Sequence, residues 1–82
     1  MKILQLVDWM SSGLSLRVAS MDITLEQIDD EERAYEKLKA TKDTLIVELK
    51  QFEGNQPWIV GLELDSGKIV VIPWWYFREV DL

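Results

Sequence analysis

The chain contains no cysteine and no histidine. Without cysteine it has no disulfide framework and no thiolate metal site. Without histidine it has no Ser-His or Cys-His nucleophile system and no imidazole metal ligand. Glycine is sparse and scattered, at positions 13, 54, 61 and 67, so no glycine-rich loop is available to cradle a phosphate. No apolar run of 18 residues exists, which excludes a membrane-spanning helix. Asp8 interrupts the start MKILQLVDW, so the long apolar centre of a secretory leader is missing and the expected location is cytoplasmic. The five serines have no histidine to activate them, and the six lysines occupy ordinary surface contexts. No nucleophile, base and orienting group can be named together. The expectation is therefore a protein that is not an enzyme, with no catalytic residues, no cofactor and no metal.

What remains is an 82-residue, acidic, tryptophan-rich chain. Its length fits one domain, residues 1–82. A chain of this mass exposes roughly 5,100 Å² folded against roughly 13,900 Å² unfolded, enough burial for one modest core. Fifteen acids against nine bases give a net charge of −6, a poor balance for direct contact with a phosphate backbone. The run Asp22 to Glu32 holds six acids and no base.

The expected fold class is α+β: an antiparallel sheet, curled or a small open barrel, with one amphipathic helix packed on it. Residues 2–9 and 14–19 read as two short strands about the turn Met10-Ser11-Ser12-Gly13, which together predict an N-terminal β-hairpin, although a short helix over 2–9 is an alternative. Thr24 and Gln27 have capping-box spacing, with Ile23 and Ile28 as a hydrophobic staple. Leu25, Ile28, Tyr35 and Leu38 continue a helical stripe to about residues 41–43, with Asp29 and Arg33 as an i,i+4 ion pair.

The second half predicts a three-strand meander. Leu45, Val47 and Leu49 alternate with polar residues. Trp58, Val60, Leu62 and Leu64 alternate with Ile59, Gly61 and Glu63. Asp65-Ser66-Gly67 reads as the hairpin loop, with Gly67 in the left-handed position. Lys68–Ile72 is apolar on both faces, as in a strand covered on both sides. Gly61 in mid-strand marks a bulge or a close approach, with an indole of Trp74 or Trp75 as the expected neighbour. The expected core is Leu4, Leu6, Leu16, Val18, Ile28, Tyr35, Leu38, Leu45, Val47, Leu49, Val60, Leu62, Ile69 and Val71.

Gly67, Ile69, Val71, Ile72, Pro73, Tyr76 and Val80 together resemble the closing part of SH3-like barrels. In those barrels a hairpin strand runs into a proline, then a single tight helical turn with an aromatic, then a last short strand. The resemblance covers about fourteen residues, from Gly67 through Val80. The helix expected in the middle of the chain has no place in a plain SH3 domain, so no ligand-binding role is carried over.

Two features bear on function. Half of the eight aromatics stand in the run Trp74-Trp75-Tyr76-Phe77, and no regular backbone points four neighbours to one side. They either close the core or form a recognition surface, or they mediate self-association. Arg78 beside them either stacks on a ring, reaches a partner carboxylate, or stays solvated. The expected partner-binding set is Trp58, Trp74, Trp75, Tyr76 and Arg78. Asp29, Asp30, Glu31 and Glu32 either complement the positive end of the helix or form an exposed acidic face. The expected function is thus a small non-enzymatic protein-binding or regulatory module acting through the aromatic surface on another protein. The alternatives are an acidic decoy for a nucleic-acid-binding protein, of the kind phages and mobile elements encode, or a homodimeric structural protein.

Overall fold

Seven short strands account for most of the regular secondary structure, and every pairing between them is antiparallel. The computed structural model describes residues 1–81. The elements run β1 (Ile3–Leu6), β2 (Leu14–Val18), α1 (Leu25–Asp29), β3 (Lys37–Ala40), β4 (Ile46–Gln51), β5 (Trp58–Glu63), β6 (Ile69–Pro73), a 3-10 turn (Trp74–Tyr76) and β7 (Phe77–Val80). The sheet order is β3-β2-β6-β5-β4-β1-β7.

The sheet curls into a half-barrel around one core. Leu4, Leu6, Leu16, Ala40, Ile46, Ile59, Val70, Ile72 and Phe77 pack together there, and they come from all seven strands. A second, smaller cluster lies on the outer face, where Ile23, just before α1, and Ile28 within it pack against Val60 and Val71. This explains why β5 and β6 are apolar on both faces. Ile59 pairs with Ile72 on the inside, and Val60 with Val71 on the outside. The accessible surface, 5452 Å², slightly exceeds the roughly 5,100 Å² usual for this mass.

The meander β4-β5-β6 forms as the alternation and turn chemistry predict, and Gly67 takes φ +70°. Pro73 leads into the 3-10 turn Trp74–Tyr76, and the last strand β7 follows it, in the order the sequence predicts. The capping box at Thr24 is complete: its hydroxyl accepts the Gln27 N–H at 3.2 Å, and the Gln27 side chain accepts the Thr24 N–H at 3.0 Å. Ile23 and Ile28 are both buried, as the staple requires.

The curled antiparallel sheet and the presence of one helix agree with expectation, so the fold class holds in part; three finer expectations fail. The fold is mostly sheet, so the α+β description and a full amphipathic helix overstate its helical content. The helix ends at Asp29, not at residues 41–43. Residues 37–40 instead form β3, where Leu38 and Ala40 turn inward and Lys37 and Lys39 outward; this alternation is strand periodicity, and pairing with β2 buries Ala40 completely. The Asp29–Arg33 helical pair therefore does not arise. The N-terminal hairpin is absent as well, because β1 pairs with β4 and β7, while β2 pairs with β3 and β6.

The expected core is also shifted. Tyr35 and Leu49 are exposed, and Val18, Leu38, Leu45, Leu62 and Ile69 only half-buried. Ile46, Ile59, Val70 and Ile72 supply the inner core instead. A bulge in β4 contributes to the shift: Glu48 stands opposite Gly61 and Lys50 opposite Val60, leaving Leu49 as the extra residue. Gly61 marks this irregularity, but Ile46 is the neighbour that crowds it. A Cβ there would overlap the Ile46 Cγ2 and stand 3.0 Å from the Val47 carbonyl oxygen, and no indole is among its nearest contacts.

Candidate functional site

Strand register gathers the aromatics from three distant parts of the chain. Leu6 pairs with Phe77, and the Val7 N–H donates to the Tyr76 carbonyl at 2.9 Å. The chain leaving β1 therefore runs past the 3-10 turn, and Trp9 meets Tyr76 edge-on, with ring centroids 5.4 Å apart and planes at 66°. On the other side Trp58 pairs with Pro73, and the Trp74 N–H donates to the Pro57 carbonyl at 2.9 Å. That brings Trp58 to 6.3 Å from Trp75. Trp75 also meets Tyr76 at 5.6 Å and Trp74 at 6.3 Å. All four tryptophans and Tyr76 thus form one connected group of rings.

This group is largely outside. Trp9, Trp74 and Trp75 retain 66%, 56% and 43% of their surface exposure. Tyr76 is half-buried and packs against the inner core, while Trp58 packs against the outer cluster. These two anchor the group, and the other three indoles project from them. Arg78 is exposed on the outer face of β7 opposite Gln5, with a guanidinium nitrogen 4.0 Å from an Asp8 carboxylate oxygen. Among the described residues no ring lies against Arg78. The guanidinium that does cover a ring is that of Arg17, 4.2 Å from the Tyr35 centroid.

The half-barrel is open at the end where β5 begins. A cavity of about 540 Å³ lies there, with Leu4, Ile59 and Phe77 as its floor and Trp58 and Trp74 among its walls. Its polar margin includes Lys2, Glu48, Gln51 and Glu79. At the other end of β5 stands Glu63, the one buried charged residue among those described. Its carboxylate accepts the backbone N–H groups of Asp65 and Ser66 at 2.7 and 2.9 Å. Burial works against its ionisation, but the Ser66 side chain and these two N–H donors outweigh burial and hold its pKa below the ordinary value.

Asp29, Asp30, Glu31 and Glu32 are all exposed, and they do not complement the positive end of α1. Only Glu26 occupies the first turn; Asp29 ends the helix, and the other three lie in the turn beyond it, with no base in the last turn. The cation that serves the helix C-terminus comes from another element. The Arg17 guanidinium donates to the Ile28 carbonyl at 2.6 Å and to the Gln27 carbonyl at 3.2 Å.

Of the five residues expected at the aromatic surface, Trp58, Trp74, Trp75 and Tyr76 are brought together, and Arg78 stands at the flank. Trp9 was not expected there. Its only sequence signal is a tryptophan just past an apolar strand, and its position depends on the β1–β7 register. No family model matches this chain, and no curated protein or solved structure shows significant similarity to it.

Proposed function

We propose that this chain is a small non-enzymatic protein-binding module whose working surface is the aromatic group of Trp9, Trp58, Trp74, Trp75 and Tyr76. One observation carries this reading: the five rings touch in one connected group while three indoles stay 43–66% exposed. Contiguous exposed apolar surface is uncommon on small proteins and concentrates at interaction sites. Tryptophan and tyrosine lead among residues that dominate binding energy at protein interfaces. Two half-buried rings hold the exposed ones in place, so the partner meets a preorganised surface.

The test is capture of partners from a lysate of the cells that contain the protein, comparing wild type with the Trp74→Ala, Trp75→Ala double variant. Each capture is run at about 0.1 M and about 1 M salt, where charge screening shortens from about 10 Å to about 3 Å. A partner retained at high salt by wild type and lost by the double variant supports the reading. Identical capture by both proteins defeats it.

A second reading, the acidic decoy for a nucleic-acid-binding protein, is favoured by the exposed acids at 29–32, which no neighbouring helix end accounts for. Under it the partner is released at high salt and lost on Glu31→Lys, because the attraction is carried by exposed charge. Self-association by strand pairing draws less support, since the β3 edge carries Lys37 and Lys39 and lysine discourages edge pairing.

A further inference from the structure

Resting on the protein-binding reading, we infer that the open end of the half-barrel is a socket for a basic side chain, an arginine or lysine presented by a segment of the partner protein. The floor is core that reaches the surface. Leu4, Ile59 and Phe77 keep 6–8% exposure, whereas the rest of the inner core keeps 0–2%. The cavity of about 540 Å³ falls within the roughly 300–1,000 Å³ of ordinary ligand sites.

The charges around that floor select the ligand. Glu48 and Glu79 face Lys2, an excess of one carboxylate at the margin of a chain that is itself at −6. Glu48 already has partners: one oxygen accepts from Gln51 Nε2 at 2.7 Å, and the other lies 3.9 Å from the Lys2 ammonium. Glu79 forms no ion pair and no side-chain hydrogen bond among the described residues, so its carboxylate is available. Trp58 and Trp74 are among the lining residues, and an indole attracts cations.

An anion entering here meets the carboxylates. A neutral apolar group covers the floor and leaves Glu79 unanswered. A cation on an aliphatic stem satisfies all three features: the stem lies on the apolar floor, and the head meets the rings and the free carboxylate.

The experiment is a titration of the intact 82-residue protein by two-dimensional ¹H–¹⁵N NMR. The probes are N-acetyl-arginine amide, N-acetyl-lysine amide, and N-acetyl-citrulline amide as the neutral shape control. Fragments of this size bind with a dissociation constant on the order of 1 mM. The expected result is saturable movement of the Trp58 and Trp74 indole N–H signals with the two cations, while the Trp9 indole, outside the cavity, stays in place. Citrulline should bind about tenfold more weakly or less, and Glu79→Gln should weaken the cations about threefold or more with the spectrum otherwise folded. Equal binding of citrulline, no saturable shift, or an unaffected Glu79→Gln variant overturns the socket. If the cations fail while partner capture still depends on Trp74 and Trp75, the socket falls and the protein-binding reading stands. If they bind while capture does not depend on those residues, the cavity is a cation site, but its use by a partner's side chain and the aromatic protein-binding reading both fall.

Discussion

Trp9 and Tyr76 lie 67 positions apart in the chain, yet their rings meet edge-on at 5.4 Å. One backbone hydrogen bond, Val7 N–H to the Tyr76 carbonyl, fixes that approach. Tyr76 reaches inward to the core and Trp9 outward to solvent, so the pair links the fold to its exposed surface. An aromatic pair of this geometry contributes about 0.5–1.5 kcal/mol beyond simple burial. Trp9→Ala should therefore lower stability by about 1 kcal/mol or less in urea denaturation, because most of its surface is already in water. It should weaken partner capture by at least about tenfold, as loss of an interface anchor does. A stability loss above about 2 kcal/mol with capture intact would make Trp9 a structural residue.

Gly61→Ala should destabilise the half-barrel. The new methyl group overlaps Ile46 Cγ2, and the Val47 carbonyl oxygen stands 3.0 Å away. Both neighbours belong to β4 beside its bulge, and Ile46 is wholly buried. Neither can move without disturbing the inner core, so overpacking should cost about 1–3 kcal/mol. The measurement is a lower urea midpoint with an unchanged slope.

Arg17→Leu should loosen α1 from the sheet. Arg17 stands opposite Val71 in the β2–β6 pairing, where its guanidinium answers the last helical carbonyls and lies over Tyr35. Leucine keeps the apolar stem and removes both interactions. A hydrogen bond from a charged group contributes about 1.5–3 kcal/mol, so a loss of about 2 kcal/mol is expected, with Arg17→Lys losing less. Amide hydrogen exchange should accelerate first across residues 25–30, while β4 and β5 keep their protection. Uniform acceleration through the sheet would contradict this role.

The parts of this fold that were legible in the sequence are those set by neighbours in the chain. The β4-β5-β6 meander follows from alternation and a glycine that closes the hairpin, and the helix start follows from Thr24 and Gln27. The failures are long-range. Tyr35 and Leu38 have helical i,i+3 spacing while Leu38 and Ala40 have the i,i+2 spacing of a strand, and pairing with β2 decides for the strand. β1 reaches past β2 to pair with β4 and β7, which no local pattern announces. Even the parity of β5 depends on another element, since burial of Val60 beneath α1 leaves Ile59 to fill the inner core. The candidate surface divides in the same way. The run Trp74 to Tyr76 is visible as composition, whereas the addition of Trp9 requires the Leu6–Phe77 register.

Acid should weaken the fold partly through Glu63. Burial alone would raise its pKa, but the Ser66 side chain and the N–H groups of Asp65 and Ser66 together bring it below the ordinary 4.5. The unfolded chain therefore holds this proton more tightly than the folded one. Stability from Glu63 is complete above about 4.5 and is lost as the pH falls through the lower folded value. Asp22 acts in the same direction, held down by the Ser20 hydroxyl and by its own backbone N–H, although its full exposure limits what it contributes. Glu63→Gln should flatten the stability profile below pH 4.5 and lower the plateau above it, because an amide offers one acceptor oxygen where the carboxylate offers two to the loop. Urea midpoints for both proteins, measured from neutral pH downward, provide the check. Parallel profiles would show that the Glu63 carboxylate plays no part in acid unfolding, and that the loop from 64 to 67 is held by its backbone pairing alone.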